Sequence, residues 1–248
     1  MNVAASISSV PESSLRDILE RLADLEYTKT ELVVSRSGTL TPLDVVNRSD
    51  AIIQLFRLQR RVTPIAVYYA LDPSEPHYLD YFRSVCRFAK SLKIVVVTVR
   101  SSAPGNPYND EIDRLRKLVE IGMNHGVVVG LLTEAGRIAD TTETIASICK
   151  TVAGLEITLD PSHFITGNPK SKDYEGILHH VCHVRLRDST ETDFQVCVGQ
   201  GVLEFSKLVN QLDSVRYRGI LCVDLGPLPD VDAIKELRKM RLLLESLL

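Results

Sequence analysis

Short runs rich in Val, Ile and Leu recur along the chain and alternate with longer stretches whose apolar residues fall every three or four positions. The first pattern belongs to buried strands and the second to amphipathic helices. Strands are predicted over residues 3–8, 31–35, 64–70, 94–100, 127–132, 155–160, 181–188 and 220–224. A helical pattern follows each, which is the sequence form of repeated β-α units around a parallel sheet. Helix starts are signalled at Thr41-Pro42-Leu43-Asp44 and Asp72-Pro73-Ser74-Glu75, where an N-cap oxygen precedes a proline and a carboxylate follows. Asp140-Thr141-Thr142-Glu143 repeats the theme as a capping box. These signals predict short, ordered strand-to-helix loops in most units. A final helix over 231–248, with Ile234, Leu237, Met240, Leu242 and Leu244 on its apolar face, closes the series.

No GxGxxG turn follows an early strand, which favours a closed (β/α)8 TIM barrel over an open, doubly wound α/β sheet. No linker or low-complexity run interrupts the pattern, so residues 1–248 are expected to form one domain. The length suits one large barrel, and 44% hydrophobic residues suffice for its core.

A net charge of −3 leaves no electrostatic footprint for nucleic acid. The five cysteines are odd in number, widely spaced and free of CxxC, so they read as reduced, buried small side chains. The N-terminus lacks a basic start with a long apolar run, and no apolar stretch reaches the roughly 18 residues a membrane helix needs. A cytoplasmic protein without membrane or nucleic-acid partners is expected, and a homodimer is left open.

Barrels of this class build their sites at the C-terminal ends of the strands, so polar residues there carry the information. In Leu155-Glu156-Ile157-Thr158-Leu159-Asp160 the apolar residues share one face, which turns Thr158 inward and leaves Asp160 at the mouth. His163 follows in the next turn. Asp160 and His163 either serve a divalent metal or proton transfer, or are a turn-capping Asp and a solvent-facing His. By the same parity His183, Arg185 and Arg187 point inward, and an inward Arg185 requires a carboxylate nearby. Arg187 with Asp188 reads alternatively as an ordinary strand-end ion pair. Cys222 faces inward below Asp224, which stands at the mouth or caps the Gly226-Pro227 turn.

Four segments carry a resemblance. Thr158-Leu159-Asp160-Pro161-Ser162-His163, Val184-Arg185-Leu186-Arg187-Asp188, the Gly199-Gln200-Gly201 loop and Tyr217–Asp224 resemble, in order, motifs of the xylose-isomerase-like barrels. That group contains sugar phosphate isomerases and epimerases and also endonuclease IV. The resemblance implies a divalent metal (Mn, Mg, Co or Zn) held by Glu, Asp, His and Glu from four strand ends, with the glutamates relaying a proton. Matched residue by residue, Asp160 is retained and His163 matches the neighbouring motif histidine. Leu132 stands at the first glutamate, Glu134 at the histidine after it, Arg185 at the ligand histidine, and Asp224 is a shortened last glutamate. Because Leu132 and Arg185 replace ligands, no cofactor is expected, and any metal would have only Asp160 and Asp224. Arg185 is instead expected to supply the positive charge, pairing with Asp160 and Asp224.

Arg36, Arg100, Arg137 and Arg187 also fall at or beyond strand ends. If they converge they suit an anionic substrate; if they splay they are surface charges. The Gly199–Gly201 loop either offers backbone N–H donors to an anion or is a plain turn. The expected function is a sugar or sugar-phosphate isomerase or epimerase. Its acid-base residues would be Glu134, Asp160, His163 and Asp224, with Arg185, Arg187, Arg100 and Arg137 binding substrate. The alternative is a metal-free or inactive barrel of the same ancestry that binds a small ligand.

Overall fold

The computed structural model describes residues 1–167 and 173–248. Eight parallel strands close into a barrel in chain order: β1 (Asn2–Ser6), β2 (Lys29–Val34), β3 (Thr63–Tyr69), β4 (Val96–Val99), β5 (Val128–Leu132), β6 (Leu155–Leu159), β7 (Val181–Leu186) and β8 (Ile220–Val223). β1 completes the ring by pairing with β8, Ala4 opposite Cys222. All eight strands fall where the apolar runs predict them. The helices are α1 (Leu15–Asp24), α2 (Pro42–Asn47), α3 (Ser49–Gln59), α4 (Tyr78–Ser91), α5 (Tyr108–His125), α6 (Thr142–Thr151), α7 (Phe205–Ser214) and α8 (Ala233–Glu245).

The main apolar core lies between barrel and helices. Leu32, Val67, Val97, Ile157, Leu159, Val184 and Leu221 point out from the strands to meet Leu22, Phe82, Leu115, Ile148, Leu212 and Leu237 from the helices, all sealed from solvent. Inward positions carry smaller or polar side chains. Thr98 and Thr158 share a 2.7 Å hydrogen bond inside the barrel. A Cβ at Gly130, on the strand between them, would collide with the Thr158 hydroxyl, so glycine keeps that bond possible.

Thr41 caps α2 as expected, its hydroxyl accepting from the Asp44 N–H and the Asp44 carboxylate accepting from the Thr41 N–H. Two other starts are corrected. Asp72-Pro73-Ser74-Glu75 is a turn, and α4 begins only at Tyr78. Pro76 disfavours the helical conformation at Glu75, and the Asp72 carboxylate is taken by the Ser74 N–H and hydroxyl. The cap of α6 is Thr141 rather than Asp140, accepting from the Thr144 N–H at 3.1 Å.

The prediction of short loops is likewise overturned, because the connections over 70–77, 100–107, 133–141 and 187–204 are long. Those over 133–141 and 187–204 bring Glu134, Arg187 and Phe194 to the barrel mouth. On α8, Leu237, Met240 and Leu244 are buried whereas Leu242 faces solvent. The cysteines are all free; Cys86, Cys149 and Cys222 are buried, and Cys182 and Cys197 are half-buried. Among the described residues no helix is long and apolar enough to cross a membrane.

Candidate functional site

The C-terminal ends of the strands surround a cavity of about 330 Å³ lined by Ser8, Val33, Tyr68, Leu132, Glu134, Asp160, His163, Arg185, Arg187, Phe194 and Asp224. The parity argument thus brings Asp160, His163, Arg185, Arg187 and Asp224 around one space, with Glu134 on the loop after β5.

Charge organises the cavity floor. Arg187 bridges Asp160 and Asp224, its Nη2 standing 2.9 Å from Asp160 Oδ2 and donating also to Asp224 Oδ2. Arg185 reaches Asp224 Oδ1 at 2.9 Å and stands 3.0 Å from Glu31 Oε2. The expected pairing of Arg185 with both aspartates is therefore corrected: Arg187 spans them, and Glu31 is the second partner of Arg185. Inward from the mouth, Arg185 lies one strand layer below Arg187, roughly 6–7 Å along the axis, which puts it level with Glu31 rather than Asp160. The chain of pairs ends at His183, whose Nε2 is 2.9 Å from Glu31 Oε1.

Each arginine also lies against an aromatic face, Arg185 4.1 Å from the Tyr68 ring centre and Arg187 4.5 Å from that of Phe194. Burial would raise the Asp224 carboxyl, but Arg185 and Arg187 hold it below its usual value. Burial pushes the Tyr68 hydroxyl up to about 12, so it remains a protonated donor at the cavity wall.

Glu134 is held from behind. Arg100 donates to both of its oxygens, by Nε at 2.9 Å and by Nη2, while Arg137 stands 3.7 Å away and binds Asp72 at 2.8 Å. Arg100 and Arg137 are thus outside the cavity lining, and Arg36 pairs with Glu75 on the surface. Arg187 makes no pair with Asp188. The Asp188 carboxylate instead accepts from the N–H groups of Ser189, Gly199 and Gly201, so the anion bound by the glycine loop is the chain's own.

His163 Nδ1 accepts from the Ala135 N–H at 3.3 Å, which leaves the ring proton on Nε2, 3.9 Å from Asp160 Oδ2. Burial lowers its pKa below the usual value, against the opposing pull of Asp160 and Glu134, so the ring is neutral at pH 7. Phe194, from the loop after β7, packs 4.6 Å from the imidazole.

Sequence reasoning missed Glu31, Ser8, Tyr68 and Phe194. Glu31 had a signal, as the sole acid inside the apolar strand Lys-Thr-Glu-Leu-Val-Val, on the side away from Leu32 and Val34. Ser8, which donates to Asp224 Oδ1 at 3.1 Å, had none.

The model of the family described as xylose isomerase-like TIM barrel matches residues 19–242. The chain belongs to that family. A curated relative is the uncharacterized protein MJ1311 of Methanocaldococcus jannaschii, 23% identical, with 95% of this chain and 87% of the relative covered. Among solved structures, a D-tagatose 3-epimerase-like protein aligns with a TM-score of 0.77 at 22% identity, covering 100% of this chain and 98% of the other. The IOLI protein with a zinc atom aligns at 0.78 and 18%, covering 99% and 98%. At such identities the structural likeness establishes the fold.

A divalent cation does not suit the mouth of this family member. Leu132 offers no donor, and the Asp160 and Asp224 oxygens facing the cavity are engaged by guanidinium N–H groups. A cation ligated by both carboxylates would have to displace the Arg187 guanidinium that already joins them. Among the described residues, a group with ligating chemistry lies deeper: Glu31, His183 and Cys222, all buried.

Proposed function

We propose that the chain is an isomerase or epimerase of small, uncharged, sugar-like hydroxy-carbonyl compounds, working at the mouth with Arg187 in the place where a cation would otherwise stand. The observation that supports it is the Asp160–Arg187–Asp224 bridge in a cavity lined also by Glu134 and His163. The cavity, at about 330 Å³, falls at the small end of ligand pockets.

Proton abstraction beside a carbonyl places negative charge on the carbonyl oxygen, and fixed donors that meet it lower the barrier. The His163 Nε2–H and the Arg187 guanidinium are such donors. Glu134 accepts the carbon-bound proton. Its side chain is 15% exposed and that of His163 18%, whereas Asp160 at 1% can only hold Arg187 in place. Arg185, Arg187, Arg100 and Arg137 all face carboxylates, Glu31, Asp72, Glu134, Asp160 and Asp224 between them. The charge of each of these four arginines is thus already met by carboxylates, which favours an uncharged substrate over a sugar phosphate.

Incubation with a panel of neutral ketoses and aldoses in D2O, followed by NMR, tests this reading. Deuterium should enter the carbon beside the carbonyl at a rate that added Mn2+, Mg2+ or Co2+ leaves unchanged. H163Q and E134Q should each slow exchange by about 10²–10⁴-fold. A second reading, a ligand-binding barrel without turnover, is favoured by the engagement of both Glu134 oxygens by Arg100. It predicts that a sugar raises the melting temperature while no deuterium is incorporated.

A further inference from the structure

Cys222 is paired in register with Arg185, and His183, two residues before Arg185, lies one layer deeper; both side chains face the barrel interior. There they meet Glu31. A carboxylate oxygen, an imidazole nitrogen and the Cys222 sulfur all lie within 4.8 Å of one another, and the three residues are fully enclosed. We propose that Glu31, His183 and Cys222 form a closed binding site for one zinc-like divalent cation, separate from the mouth and independent of the function proposed above.

The donor set is the first argument. A mixed thiolate, imidazole and carboxylate group suits zinc or a similar transition metal and discriminates against Mg2+ and Ca2+, which want oxygen alone. The orientation of Glu31 is the second. Its Oε2 stands 3.0 Å from Arg185 Nε, yet neither atom is aligned for a hydrogen bond with any described residue. The arginine therefore holds the carboxylate by charge from outside and leaves Oε1 beside His183 Nε2, at 2.9 Å, as outer partners of metal ligands do.

A water completing the coordination gives the four ligands such metals take.

Because the group is enclosed, the metal is supplied during refolding. Wild-type protein refolded with Zn2+ and passed through a desalting column should retain about one equivalent by elemental analysis. Refolding with Co2+ should give the visible bands of a tetrahedral ion and a sulfur-to-metal charge-transfer band. C222S should abolish the charge-transfer band and weaken retention by more than about tenfold, while D160N keeps both. Circular dichroism checks that C222S is folded, and C222A replaces it if it is not. Wild-type protein that retains no metal overturns the proposal. So does a metal that survives C222S and is lost in D160N, since that ion would sit at the mouth.

Discussion

Arg185 and Arg187 are two residues apart on one inward-facing run, and each is stabilised by two carboxylates and one aromatic ring. The same pairing makes the site's charge sensitive to acid. Burial opposes ionisation of Asp224, but Arg185 and Arg187 outweigh it and hold the carboxyl low. Burial likewise opposes ionisation of Asp72, yet bonds from Ser74 and Arg137 bring it down to about 2. A carboxylate lowered on folding contributes stability that is complete above its unfolded value, near 3.8, and is lost as pH falls through the folded value. Urea unfolding followed from pH 5 to pH 2 should therefore show stability falling steadily between about pH 4 and pH 2. A flat profile there would contradict these pairings. Much of this was legible residue by residue: strand parity turned Asp160, Arg185, Arg187 and Asp224 inward, and an inward arginine demanded a carboxylate. Which carboxylate was not legible. Parity gives a side chain's face but not its height in the barrel, and Glu31 meets Arg185 only because β2 and β7 are set at matching heights around the ring.

At the scale of elements, the strands were legible because their alternation of apolar outer and polar inner positions is local. The loops were not. Asp72-Pro73-Ser74-Glu75 has the composition of a helix start, but Pro76 and the bonds of Asp72 to Ser74 and Arg137 make it an ordered turn. The connection over 187–204 depends on Asp188, whose carboxylate gathers the Gly199 and Gly201 N–H groups and so positions the segment that lays Phe194 on His163. A Cβ at Gly201 would overlap that carboxylate and stand 2.6 Å from the Ser189 carbonyl oxygen. G201A should therefore cost about 1–3 kcal/mol in urea unfolding, the usual range for an overpacked site. An unchanged midpoint would show that the loop accommodates the methyl and that Asp188 is not its anchor.

For the molecule as a whole, a closed eight-stranded barrel of this family brings side chains from β2, β5, β6, β7 and β8 to one end, and the family match spans nearly all of it. That Leu132 and Arg185 offer no lone pair to a cation was visible along the sequence; the guanidinium spanning two aspartates needed the three-dimensional arrangement. The central claim is that Arg187 occupies the mouth in place of a divalent cation. Crystals soaked in Mn2+ and measured for anomalous scattering address it directly. The account predicts an ordered Arg187 between Asp160 and Asp224 with no anomalous peak beside them. A manganese peak ligated by both carboxylates, with Arg187 turned away, would contradict it.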